Sequence, residues 1–465
     1  MSLTVQFLGA AETVTGSKYL VSSPELSGDI LVDAGLFQGP REWKEENWKT
    51  FPADISKIKA VIITHAHIDH IGYLPRLVKL GLKCPIFMTH ATKDLAGLLL
   101  TDSAKLQEEE AEFRSRHHVS RHASPQPLYN VEDVKSTLKL IIGVQFDHPA
   151  PILDNVQATW TKAGHILGAG SISLQVNLKD SIKKILFSGD IGRYSVPILP
   201  DPAPVDFGDL LLIESTYGAR KHSNVDAKED LGNIINRTIS RGGMVLIPSF
   251  AVGRAQELLF YIRELKEEGV IPNIPIIVDS PMAQDATRIY TQHHEGLDDE
   301  SLKIIGRGEN IFRPDKLHFI RDRSESIELN NVNEPMVLIS ASGMLAGGRI
   351  LHHIKFRIAD RRNTLLFVGF QPDGGKGAWI KSGAPTVRIF NEEIPINAEI
   401  ADISSLSAHA DVDELLRWCK AGKGTPTKVA VVHGELAQAR AFAETLRTTM
   451  KWDCFVPRYQ EIYKL

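Results

Sequence analysis

The sequence predicts an α/β fold in which a parallel-sheet domain is inserted into a β-led one. Alternation of β type dominates the first third of the chain, strands and helices alternate from about residue 209 to 395, and short strands with isolated helices return after Ala398. At 465 residues the chain exceeds the usual single-domain range, and 43% apolar residues can build a core in each of two domains. The expected division is 1–208, 209–395 and 396–465, with the outer two segments forming one domain.

The opening stretches "TVQFLG", "YLVSS" and "GDILVDAG" read as short strands with glycine turns, and "KAVIIT" as a strand rich in β-branched residues. From Ala91 to about Phe113 the spacing is helical, and the polar "RSRHHVSRHASPQP" that follows reads as a loop. "ATWTKAG", "SISLQVNL" and "KKILFSG" continue the strands, and the Pro- and Asp-rich "YSVPILPDPAPVDFG" reads as a linker. Beyond it the strands "DLLLIEST", "MVLIPS", "IPIIVDS", "PMVLIS" and "NTLLFVG" alternate with helices around "KEDLGNIINRTISRG" and "GRAQELLFYIRELKEEG", the rhythm of a parallel sheet. The last segment carries a helix at "VDELLRWCK", a strand at "KVAVVHGE", a further helix and a final short strand.

A formal charge of −4 does not mark a basic nucleic-acid binder, although a local field can outweigh the sum. No segment reaches the roughly 18 apolar residues a membrane helix needs, and "MSLTVQFLGAAE" lacks a basic lead before an apolar core, so the expected location is the cytoplasm with no membrane partner. Cys84, Cys419 and Cys454 form no CxxC pair and read as buried or reduced thiols.

The chemistry concentrates in "VIITHAHIDHIGYL", where His65, His67, Asp69 and His70 fall within six positions at the end of an apolar run. Imidazole nitrogens and carboxylate oxygens suit hydrolytic Zn²⁺. In an extended turn His65 and His67 project to one side and can share a metal, while a helix starting near Asp69 turns Asp69 and His70 toward a second. A lone HxH is more often a surface or core pair than a site, but four ligating residues in so short a span reverse that balance. His165 in "KAGHILGAGS", Asp190 in "ILFSGDIG" and His433 in "VAVVHGE" each lie just past an apolar strand, where a loop opens a site, though singly each reads equally as a hydrogen-bonded loop residue. Asp33 in "ILVDAGLFQG" is placed to orient a ligating histidine or a loop amide, against the plainer reading of a turn aspartate before glycine.

These residues carry a family resemblance. "THAHIDH" resembles the HxHxDH signature of the metallo-β-lactamase superfamily, with Asp33, His165 and Asp190 matching its other motifs in order. "IESTYG" with Glu214, "SAHAD" with His409 and "VVHGE" with His433 resemble the three diagnostic motifs of the β-CASP nucleases, and "GAAETVTGSKYLV", "IPSFAVGRAQELL", "DSPMA", "SASGML" and "GGR" resemble that family's connecting segments. The likeness spans about Leu8 to Glu435. It implies a metallo-β-lactamase αββα sandwich with an inserted β-CASP domain, and two Zn²⁺ per chain. His65, His67 and His165 would take one ion, Asp69, His70 and His433 the other, with Asp190 bridging. Asp69, Glu214 and His409 are implied as catalytic residues, His409 being the general acid held by Glu214 during hydroxide attack on phosphorus. His409 also precedes the helical "VDELLRWCK" in capping-type sequence, a structural role that Glu214 and His433 outweigh together.

RNA is the expected substrate, because the DNA-directed branch of the family tends to carry valine where this chain has His433. The resemblance is strongest to bacterial and archaeal RNA-processing members and to the pre-mRNA 3′-end cleavage endonuclease, and it is compatible with a homodimer. A minimal member is expected, with no module before Leu3 and no extension past the catalytic domain. Expected phosphate donors lie on strand-to-helix turns of the insert, at Arg254 and at Ser340, Ser342 and Arg349, since helix N-termini present free N–H groups. The basic "HHIKFRIADRR" could follow a nucleic-acid backbone or form a solvated face. The chain departs from its relatives where they read a GTxGR-like segment: here "GGKGA" puts Ala378 in place of arginine, and Lys376 cannot reproduce a bidentate clasp. The competing functions are a small-ester or thioester hydrolase, disfavoured by an insertion such a substrate does not need, and a non-catalytic RNA-binding scaffold, disfavoured by seven retained ligand candidates.

Overall fold

The computed structural model describes residues 2–116, 126–223, 225–372 and 374–465. Most of the loop expected at "RSRHHVSRHASPQP" lies outside the described residues. The chain forms two compact units, the first of Met1–Ser195, Leu199–Lys221 and His409–Leu465, the second of Val196–Ile198 and His222–Ala408.

In the first unit two seven-stranded sheets face each other. One runs Ile462–Lys464, Thr4–Phe7, Tyr19–Ser22, Asp29–Val32, Ile58–Ile62, Ile86–Thr89, Ile141–Val144, antiparallel at its beginning and parallel from Asp29–Val32 onward. The other runs Cys454–Phe455, Lys428–Val432, Leu210–Glu214, Ile182–Phe187, Gly170–Asn177, Val156–Lys162, Ala150–Leu153. Alternation along each strand decides what each residue packs against. Leu210 and Leu212 join Val5, Ile30, Ile62, Trp160 and Val432 in the core between the sheets. Leu211 and Ile213 face the other way, toward Leu415, Trp418, Phe442 and Leu446 of the helices Val412–Ala421 and Leu436–Thr449. The long helix His90–Arg116 contacts the outer strands of the first sheet, which completes helix, sheet, sheet, helix layering. A strand buried on both faces reads as an unbroken apolar run, as "LLLI" does.

The second unit is built on a six-stranded sheet, in the order Leu317–Phe319, Ile276–Asp279, Val337–Ser340, Val245–Pro248, Thr364–Phe367, Glu399–Asp402, with every pairing parallel. Its helices start where sequence chemistry says they should. Asp226 caps Ala227–Ser240 by accepting from the Lys228 and Glu229 amides, and Ser280 caps Pro281–Gln292, with proline in the first turn.

The expected borders at 208/209 and 395/396 move to 221/222 and 408/409. "DLLLIEST" does not open the insert: Leu210–Glu214 pairs in parallel with Ile182–Phe187 and Lys428–Val432 in the first unit. Conversely, Glu399–Asp402 closes the second unit's sheet beside Thr364–Phe367. Both strands are apolar runs flanked by turn residues, and such a run carries no mark of the sheet it joins.

Candidate metal centre

The site lies within the first unit, on loops at strand ends. Ile58–Ile62 delivers Thr64 and His65, and a single helical turn, Ile68–Ile71, follows with His67 at its N-cap. His65, His70, His165, Asp190 and His433 are buried, while His67 and Asp69 are partly exposed. The register of Leu210–Glu214 against Lys428–Val432 sets Glu214 opposite Val432, so His433 emerges beside Ser215, whose amide donates to the His433 carbonyl at 3.2 Å. Here residue 433 meets residue 70.

The ring nitrogens converge in two groups. His67 Nδ1 lies 3.1 Å from both His65 Nε2 and His165 Nε2. His70 Nε2 lies 3.1 Å from His433 Nε2, which is 3.4 Å from Asp69 Oδ2. Asp190 stands between the groups. Its Oδ2 is 3.4 Å from His65 Nε2 and 3.5 Å from His165 Nε2, and its Oδ1 is 3.4 Å from His70 Nε2. That Oδ1 is buried without a hydrogen-bond partner. Ligand atoms of His65, His67, His165 and Asp190 all fall within 4.8 Å of one another, as do those of Asp69, His70 and His433. Nitrogens bound tetrahedrally at about 2.0–2.1 Å sit roughly 3.3 Å apart, so lone pairs converging at this spacing fit divalent ions. The orphaned Asp190 oxygen fits a carboxylate shared between them.

Backbone and hydroxyl groups around the cluster orient its rings. Asp33 Oδ2 accepts from His70 Nδ1 at 2.7 Å, which leaves Nε2 facing the cluster. Asp33 is itself held by the Thr64 amide at 2.8 Å, the Thr64 hydroxyl and Ser17 Oγ. His433 Nδ1 lies 3.2 Å from Thr216 Oγ1, which likewise frees its Nε2, and its amide donates to the Ala10 carbonyl at 2.8 Å. Asp33 and His433 both have positive φ (56° and 47°), a region that asparagine, aspartate and histidine visit more readily than most residues. Gly189, at φ 58°, lets Asp190 follow closely, for a Cβ there would meet Thr64 at 2.9 Å. The sequence marks only some of the supporting hydroxyls: Thr64 stands next to His65, and Ser188, whose Oγ accepts from the Glu214 amide at 3.0 Å, stands two residues before Asp190, whereas Ser17 and Thr216 have no such local signal.

The electrostatics suit a cation. Burial, then the neighbouring His65, drives His67 down to about 3, and burial and His409 drive His165 well below the ordinary imidazole range. Both rings therefore keep their lone pairs at neutral pH. Burial alone would raise the Asp190 carboxyl, but His433, His70 and His65 hold it well below the usual carboxylate range.

Beside the cluster, His409 Nδ1 is 3.3 Å from Glu214 Oε1 and 4.0 Å from Asp190 Oδ2. Burial disfavours its cation, yet Glu214 and Asp190 bring it up to about 9. Glu214 is fully buried and fixed by the Ile191 amide at 2.7 Å and the Thr216 amide at 3.2 Å.

Three of the four expected phosphate donors are engaged within the protein. Ser340 is buried and its hydroxyl donates to the Asp279 carbonyl at 3.0 Å, so it serves the fold. Arg349 Nη1 donates to Asp279 Oδ1 at 2.6 Å, in a carboxylate network with Ser326 Oγ and His353 Nε2, both at 2.6 Å. Arg254 is buried and paired with Glu257. Ser342 is half-buried in the loop after Val337–Ser340. In "HHIKFRIADRR", His353 and Arg357 are buried, Lys355 pairs with Glu392 at 2.5 Å and Arg362 with Asp360 at 2.7 Å, so the stretch is no open basic track.

Replacing Asp33 with asparagine keeps its shape and removes the charge that orients His70. Metal affinity, measured by chelator competition, is expected to fall by roughly 10–100-fold; unaltered affinity would leave Asp33 a purely structural residue.

Three family profiles match the chain: a metallo-β-lactamase superfamily domain over residues 25–191, a Beta-Casp domain over 255–380, and a Zn-dependent metallo-hydrolase RNA specificity domain over 393–457. Ribonuclease TTHA0252 of Thermus thermophilus is 36% identical over 441 residues, covering 94% of each chain. The RNase J-like protein of Methanocaldococcus jannaschii is 33% identical, covering 92% of each chain. The same organism's transcription termination factor FttA is 31% identical over 98% of this chain and 70% of its own length. A crystal structure of a protein of unknown function from Enterococcus faecalis V583 superposes with a TM-score of 0.53 at 13% identity, covering 100% of both chains, a likeness of fold. Among the described residues no helix is long and apolar enough to cross a membrane.

Proposed function

From the premise that this chain belongs to the β-CASP family of metallo-β-lactamase-fold nucleases and is a metal-dependent hydrolase, we propose that it cleaves RNA phosphodiester bonds with two Zn²⁺ per chain. The observation that carries the reading is Asp190, buried between two groups of converging histidine nitrogens, with one oxygen turned to each. When bound, the ions supply Lewis-acid polarisation of the phosphoryl group and ionisation of water near neutral pH.

The chain's own residues do the rest. His65, His67 and His165 would hold one ion and Asp69, His70 and His433 the other, and Asp190 would offset part of the charge of both. Asp33 and Thr216 fix the tautomers of His70 and His433. Glu214 holds His409 in its proton-bearing form, and His409 gives that proton to the departing ribose oxygen. A small ester leaving as a stable anion has no need of such a pair. The chain also keeps every ligand position that a scaffold protein could lose without consequence. Cytoplasmic location and a homodimeric state belong to the same reading and are tested by fractionation and by sedimentation.

The test combines metal analysis with a labelled RNA carrying a free or a blocked 5′ end, and a lactone and a thioester as controls. The expected result is close to two zinc ions per chain, RNA cleavage abolished by chelation and restored by zinc, and product lengths that separate internal cutting from trimming at the 5′ end. Turnover of the thioester with intact RNA would transfer the protein to the small-ester hydrolases, and less than one zinc with no cleavage would make it a scaffold.

A further inference from the structure

The second unit's parallel sheet has a topological switch between Val245–Pro248 and Thr364–Phe367. The chain leaving Val245–Pro248 crosses to Ile276–Asp279 on one side, and the chain leaving Thr364–Phe367 goes to Glu399–Asp402 on the other. Loops that diverge at the carboxyl ends of two neighbouring strands leave a crevice, and open α/β sheets bind their ligands there. Each of these two loops presents an exposed phenylalanine. Phe250 is 44% exposed and Phe370 is 61% exposed.

Exposed apolar rings grouped at the ends of neighbouring strands mark a contact surface, and the backbone around Phe250 holds its ring in place. The Phe250 carbonyl accepts from the Ser249 hydroxyl at 3.0 Å and from the Ala255 amide at 3.2 Å. Its ring lies along bare backbone: a Cβ on Gly343 would meet it at 3.1 Å and one on Gly369 at 3.8 Å. Gln371 Nε2 donates to the Gly343 carbonyl at 2.8 Å, tying the loop that carries Phe370 to the loop after Val337–Ser340. Lys376, six residues past Phe370, is exposed and has no acidic partner among the described residues. The Phe250 ring backed by bare backbone, with a second exposed ring one residue past Gly369 and a cation in the adjoining segment, suits a planar, uncharged ring joined to an anionic backbone, the chemistry of an unpaired nucleotide.

We propose that Phe250 and Phe370 form a stacking platform for unpaired bases of the RNA substrate, so that the enzyme engages a single-stranded segment without reading its sequence. The inference rests on the ribonuclease reading and deepens it. Stacking needs a π-face, not particular hydrogen-bonding groups, so adenine and uracil should be held comparably.

The test uses the full-length, zinc-loaded protein with labelled decameric oligouridylate and oligoadenylate, and the same decamers with abasic residues over part of their length. Phe250→Ala and Phe370→Ala are each expected to raise KM for the base-bearing decamers by roughly tenfold. Wild type should lose a similar factor on the abasic decamers, and the variants should lose little more on them. Phe250→Tyr should restore KM, which a loss of folding would not predict. Unchanged KM in both alanine variants overturns the platform and leaves the two rings to a protein partner, as does an equal loss on base-bearing and abasic RNA. Failure of the wild type to cleave any of these RNAs would instead overturn the ribonuclease reading, and the platform with it.

Discussion

Replacing His409 with alanine is expected to lower RNA hydrolysis by roughly 10²–10⁴-fold while leaving bound metal unchanged. The imidazole lies at the edge of the cluster, partly exposed, with Nδ1 directed at Glu214 and its ring centroid 4.5 Å from that of His165. Its backbone is held independently of the side chain, since Ala410 donates to the Ile191 carbonyl at 2.8 Å, so truncation leaves the loop in place. Each ligand group also keeps its three histidines or its two histidines and aspartate. On the proposed mechanism what disappears is the proton for the ribose oxygen, a poor leaving group as an anion. A nucleotide ester of nitrophenol leaves without a proton and should therefore be hydrolysed by the variant far better, relative to wild type, than RNA is. Equal losses on both substrates would show His409 to be a positioning residue. Glu214→Gln should fall in the same direction by less, because the ring keeps a hydrogen-bond partner but loses the charge that favours its protonated form.

How far such a site can be read from sequence depends on which contacts are local. His65, His67, Asp69 and His70 are legible because one strand end and one helical turn present all four. His165, Asp190 and His433 are legible as polar residues closing apolar strands, but their convergence depends on strand order, and the proximity of His433 to His70 follows from the register of Lys428–Val432 beside Leu210–Glu214. That register also explains the misplaced border. "DLLLIEST" has the same apolar run as the insert's own strands, and only its neighbours assign it to the first unit. The phosphate donors are hard to read for a related reason. Serine and arginine at a strand-to-helix turn look alike whether they await an anion or satisfy an internal one, and here Asp279 already occupies Arg349 and its carbonyl occupies Ser340. A buried aspartate two strands away in sequence is the partner that no local pattern reveals.

Asp190→Asn is expected to remove at least one of the two proposed ions and to lower turnover by roughly 10²–10³-fold. The substitution changes no volume, so its effect isolates the charge and the second acceptor. Two divalent cations about 4 Å apart repel by about 17 kcal/mol at an effective dielectric of about 20. Asp33 lies behind His70, and Asp69 faces only the His433 side, so Asp190 is the carboxylate with an oxygen toward each nitrogen group. An amide in its place offers one neutral oxygen and sets an N–H₂ against rings whose lone pairs already converge. The nitrogens of His65, His67 and His165 could still hold one ion, whereas Asp69, His70 and His433 would lose the shared charge. Metal analysis of the purified variant is accordingly expected to give one zinc or none per chain, with the remaining ion released by chelators more readily than in wild type. Two tightly held ions in the asparagine variant would show that Asp190 does not bridge them, and the loss of turnover would then have to come from its 4.0 Å approach to His409.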